Sequence, residues 1–190
     1  MENFKDIIKK AEDYALSEIN LNGIPSIDNF KLSNLKGQKL VKKLKADKDI
    51  VIIGTILMDL KLGECIKEGK YQEHIERSAN AAKEFLKQFN IDEETFKKII
   101  NCIEAHHKTK EFICKEAEIC ANADCYKFLH PRGFFNALLF YGKTITNLDE
   151  YLKQIESRIE EKHNILSLDI SKKELEPYYK KFKLLINKAK

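Results

Sequence analysis

The chain has little net charge, no long apolar run, no paired cysteine motif and no repeat, and each absence removes a class of protein. Among 190 residues, 34 Lys and Arg stand against 30 Asp and Glu, a formal charge of +4. Lys and Glu alternate throughout, which marks solvated helix faces rather than a nucleic-acid patch. The least mixed stretch is residues 31–48, where seven lysines face the single acid Asp47 and imply a basic helix face. No run reaches membrane-spanning length, and the opening MENFKDIIKK has no apolar signal core, so a cytoplasmic protein is expected, with no membrane partner. In that compartment Cys65, Cys102, Cys114, Cys120 and Cys125 would be reduced thiols. None belongs to a C-x-x-C pair, which argues against a zinc ribbon, and Cys114, Cys120 and Cys125 read as small core residues. Without a repeat, low-complexity tract or flexible linker, this length gives one domain over residues 1–190.

What is present is organised around residues 50–60, IVIIGTILMDL. A segment apolar on every side of a helix belongs at the centre of a bundle, and no second run of this kind exists to pair with it as a strand. Asp59 is its anomaly, because a carboxylate there is costly to bury without a cation or several donors. It either emerges at the surface beside residues 61–63 or serves as a ligand.

The other segments also carry helical spacing. Phe4, Ile7, Ile8, Ala11, Tyr14, Ala15 and Ile19 mark a first amphipathic helix, broken by residues 20–25, NLNGIP. A second is expected over residues 28–46, and Asp47 or Lys48 starts the apolar helix. Residues 61–72, with two glycines, read as a surface loop. A helix follows from His74 to Leu86, and Asp92 is placed to cap the next, which reaches His106 and His107. Further helices are expected over residues 111–129, from Pro131, over 148–165 and over 172–188, the last with a Ser171–Glu174 capping box. The fold class is all-α, a single-domain helical bundle with a core over about residues 28–145 and a C-terminal helical pair over 148–188.

Asp59, His74, His106, His107 and Asp124 fall on four such helices. Imidazole and carboxylate together are ligands for Mn, Fe, Ni or Zn, and bundles build metal sites from facing helices. Taken singly, each is an ordinary polar residue at a helix end; their order and spacing favour ligands. Adjacent helical residues point about 100° apart, so His106 and His107 ligate together only where the helix frays.

Over residues 28–185 this pattern resembles the HD-domain superfamily of helical, metal-dependent phosphohydrolases. That family's His-Asp dipeptide corresponds to Met58-Asp59, and its later Asp to Asp124 in Asn122-Ala123-Asp124. His74 and the pair His106–His107 resemble the additional ligands of bimetallic members, and Asn29 stands near the upstream His. The resemblance implies a divalent metal (Mn, Fe, Ni, Mg or Zn) on Asp59, His74, His106, His107 and Asp124, with Asp59 also catalytic. A thioether is a poor ligand for hard ions, so Met58 and Asn29 disable the family's first site and leave one ion or none. On that reading, His at position 58, with His at 29, would restore metal.

The resemblance also implies hydrolysis of a phosphoester, with a small phosphorylated ligand of nucleotide type as partner. Arg132, Lys127 and Lys61 are the candidate phosphate contacts, Arg132 first because a guanidinium fork matches phosphate oxygens. The alternative is an inactive domain that binds a phosphorylated ligand or a protein partner. Without metal, Asp59 must be held by helix-end amides, by a Lys such as Lys61, or by protonated His106 or His107. Pairing with protonated histidine would make stability fall as pH rises.

Overall fold

The computed structural model describes residues 3–190. Its elements are α1 (Phe4–Asn22), α2 (Ile27–Leu44), α3 (Lys48–Leu57), α4 (Leu62–Lys67), a 3₁₀ turn (Tyr71–Glu73), α5 (His74–Leu86), α6 (Glu93–Glu104), α7 (Lys115–Leu129), α8 (Pro131–Tyr141), α9 (Leu148–Ile165) and α10 (Asp169–Ala189). No strand occurs among the described residues, and the all-α expectation holds. None of the described helices is long and apolar enough to cross a membrane.

The side chains of residues 50–57 are all buried, and α3 packs against α1, α2, α6 and α7. Asp47 caps it, accepting the Asp49 and Ile50 amides. Gly54 sets how closely its neighbours approach. A Cβ there would lie 2.6 Å from Cys102 Cβ on α6 and 3.0 Å from Cys120 Sγ on α7. One apolar cluster then runs from Ile7 to Ile186, so all the long helices share a core.

α3 does not hold the centre alone. α7 packs against α2, α3, α6, α8, α9 and α10, and residues 119–127 are buried on every side of it. Its sequence gave no such sign, because Ala, Cys, Asn, Asp and Lys lack the apolar contrast that marks a buried helix.

Four local expectations need correction. Residues 61–72 are not an open loop: they hold α4 and the 3₁₀ turn. α7 begins at Lys115 rather than 111, because the Asn101 side chain donates to the Glu111 carbonyl and accepts the Ile113 amide, fixing the connection as a turn. α10 begins at Asp169, which leaves Ser171 inside the helix, so no capping box forms. Glu174 instead accepts from Lys36 Nζ at 2.6 Å and from the Tyr126 hydroxyl at 2.8 Å. Finally, α3 ends at Leu57, and Asp59 lies in the following turn only 8% exposed, not at the surface. Asp92 does cap α6, accepting the Thr95 amide at 2.9 Å.

Gly54→Ala should lower unfolding free energy by about 1–3 kcal/mol, the usual cost of overpacking a filled core. Denaturant unfolding measures it, and an unchanged midpoint would show that the α3–α6 contact yields freely.

Candidate metal centre

Six side chains from four regions converge at the inner ends of α3, α6 and α7. Asp59 comes from the turn after α3, His74 opens α5, His106 and His107 follow α6, and Asp124 and Lys127 lie one turn apart on α7. α6 stops at Glu104 with Ala105 as its cap, and Lys108 takes a left-handed φ of 58°. The two histidines therefore leave helical geometry, which lets consecutive residues face one point. Their ring centroids lie 4.4 Å apart, and that of His74 lies 5.8 Å from His106 and 5.1 Å from His107.

The hydrogen bonds fix each ring's tautomer. His74 Nδ1 lies 2.7 Å from the Tyr71 carbonyl and His106 Nδ1 lies 2.6 Å from the Ile103 carbonyl. A carbonyl oxygen only accepts, so both Nδ1 atoms carry the proton. His107 Nδ1 lies 3.0 Å from Glu161 Oε1, while its Nε2 lies 2.8 Å from Lys162 Nζ, which only donates. All three rings thus turn Nε2 inward, that of His107 accepting from Lys162. Those of His74 and His106 are buried without a hydrogen-bond partner. A ligand histidine adopts this posture, with its outer nitrogen tied to a carbonyl or carboxylate. One potential ligand atom from each ring lies within 4.8 Å of the others, so the three can hold a metal ion.

The carboxylates are held by lysines. Lys127 Nζ bonds Asp59 Oδ2 and lies 2.7 Å from Asp124 Oδ1. Lys162 Nζ lies 2.7 Å from Asp124 Oδ2, between that carboxylate and His107. Burial would raise the Asp59 carboxyl, but the Lys127 ammonium and the His106 ring outweigh it and hold it well below the usual range. Asp124 is likewise lowered, burial being overcome by Lys127 and Lys162. Burial lowers His74, and burial with the Lys162 ammonium pushes His107 down to about 3.

A cavity of about 400 Å³ opens onto this cluster. Its floor includes His74, His107, Asp124, Lys127, Arg158 and Lys162, and its walls include Ile66, Phe128, Phe140 and Tyr141. Asn29 also lines it, with an Oδ1 that is buried and lacks a hydrogen-bond partner.

Of the expected phosphate contacts, the structure places only Lys127 here. Lys61 Nζ binds Glu18 at 2.9 Å and Glu64 at 3.2 Å, and Arg132 pairs with Asp28 on an exposed face. Met58, fully buried, is not among the cavity's lining residues. Sequence reasoning missed Arg158, Glu161 and Lys162. On α9 they stand among other alternating charges, and nothing in their spacing separates a buried lysine from a solvated one.

Over 122 residues the chain is 30% identical to ribonuclease Y of Finegoldia magna, a match covering 64% of this chain and 22% of that protein. The chain thus spans about a fifth of the curated relative's length. No family model matches the chain, and no solved structure matches it.

The lowered histidines reverse the pH dependence expected from a carboxylate–imidazolium pair. Unfolded histidine takes a proton near pH 6.5, whereas folded His107 resists one until about 3. Below pH 6.5 the unfolded chain binds more protons, so stability falls with acidification. The depressed carboxylates Asp59 and Asp124 act in the same sense below about pH 4. In chelator, moving from pH 7.5 to 5.5 should cost about 1.4 kcal/mol through His107 alone, with His74 adding to it. Urea unfolding at both pH values tests the sign; greater stability at 5.5 would contradict it.

Proposed function

We propose that the chain is a divergent HD-type domain that hydrolyses a small phosphoester, nucleotide-like by resemblance, using one divalent metal held by His74, His106 and His107 beside Asp59. One observation carries this reading. His106 Nε2 is buried without a hydrogen-bond partner and faces Asp59 Oδ1 at 3.5 Å, a pairing of two acceptors that requires a cation between them. Either a proton on His106 or a metal ion meets the need, and the unpartnered Nε2 of His74, with the His107 ring beside it, favours the metal. The order Asp59, His74, His106–His107, Asp124 supports it, as does the likeness to ribonuclease Y.

Imidazole-rich donor sets suit Zn, Fe or Ni better than Mg. When bound, the ion supplies a water of lowered pKa. The chain's own residues do the rest. Tyr71 and Ile103 orient His74 and His106 through their carbonyls. The cations Lys127, Lys162 and Arg158 on the cavity floor meet anionic ligand oxygens, and the apolar walls exclude water.

A second reading, ligand binding without turnover, is favoured by a separate observation. Lys127 occupies Asp59, so no free carboxylate remains there to serve as base.

Protein purified without a tag and saturated with Mn, Fe, Ni or Zn at a hundredfold excess over its dissociation constant should gain about 2.7 kcal/mol of stability. Chelator should remove that gain. His106→Ala and Asp59→Asn should abolish it while keeping the helical circular dichroism spectrum. Turnover of bis(p-nitrophenyl) phosphate by the loaded protein distinguishes hydrolase from binder. Identical melting with metal and with chelator would sink the metal reading.

A further inference from the structure

Beyond that reading, and resting on it only for the neighbouring histidine ion, we infer that Lys127 is a built-in cation whose ammonium occupies, between Asp59 and Asp124, the place of a second metal ion. The two carboxylates arise from different elements, the turn after α3 and the middle of α7, and are 8% and 2% exposed. Nothing in local folding requires them to meet. Two buried like charges cannot both stay ionised without a compensating cation. Lys127 lies three residues after Asp124 on α7, so its stem already runs along the same helix face. Its Nζ reaches an oxygen of each carboxylate at once, Asp124 Oδ1 and Asp59 Oδ2.

A lysine ammonium is a compact point charge on a flexible stem, suited to this substitution. It cannot be removed by chelator. It also carries one charge where a divalent ion carries two, and three carboxylates (Asp59, Asp124, Glu161) here face three cations (Lys127, Lys162, Arg158). These charges therefore balance without any second ion. Met58→His alone then brings no metal, contrary to the expectation from sequence.

The test counts metal. Wild type, Lys127→Ala and Lys127→Ala/Asp124→Asn are saturated with Mn²⁺, freed of excess by gel filtration, and assayed for ions per chain by elemental analysis. Lys127→Ala should hold one ion more than wild type, and the double variant should fall back to the wild-type number. Equal counts in wild type and Lys127→Ala overturn the proposal, as does an extra ion that survives Asp124→Asn. A wild type with no ion beside a Lys127→Ala with one would uphold the built-in cation and defeat the histidine site. One ion in both would do the reverse. If Lys127→Ala folds only with Mn²⁺, by thermal melting, the proposal stands; if it folds neither with nor without the ion, the position needs more than a cation and the proposal falls.

Discussion

Two carboxylates buried at the meeting of α3 and α7 impose the constraint around which this molecule is arranged. Their desolvation is tolerable only because Lys127 and Lys162 reach them from α7 and α9. That requirement pins the C-terminal half to the N-terminal half. α9 must lie across α7 so that Lys162 can touch Asp124, and α7 must lie against α3 so that Lys127 can touch Asp59. Apolar packing supplies the bulk of the cohesion, but it is non-directional and would tolerate other rotations of α9. The ammonium contacts select one.

The histidine cluster depends on how helices end. His74 sits where a 3₁₀ turn hands over to α5, and the Tyr71 carbonyl that accepts its backbone N–H also holds its Nδ1. His106 follows the last residues of α6, where an otherwise unpaired carbonyl, that of Ile103, does the same. Backbone acceptors at helix ends thus hold the Nδ1 atoms of His74 and His106 and turn their inner nitrogens toward the site. Secondary-structure termination and ligand geometry are here one arrangement.

The cavity joins these two systems. Its lining brings together His74 and His107, Lys127 and Lys162 already paired with acids, and apolar side chains from α7 and α8. Anything bound there meets paired ammonium and guanidinium donors and an apolar wall together, and in such surroundings polar contacts count for more than in solvent.

Apolar periodicity settles from sequence alone the helical class, most helix positions and the centrality of residues 50–57, because burial of one face or of every face writes directly into residue order. Caps such as Asp92 are legible for the same reason: donor and acceptor lie three residues apart. The approach of Asp59, the histidines and Asp124 was readable only as an ordered pattern, and its meaning as a site came from convergence across 65 positions. What tertiary structure alone decided is charge. Lys61, Arg132, Lys127, Lys162 and Arg158 are equivalent in sequence, yet the fold sends the first two to acids away from the cavity and the other three to its lining. The buried status of α7 was equally hidden, since small and polar residues give no contrast between faces. A side chain's ionic partner is set by which helices pack together, and that is a global property no local spacing encodes.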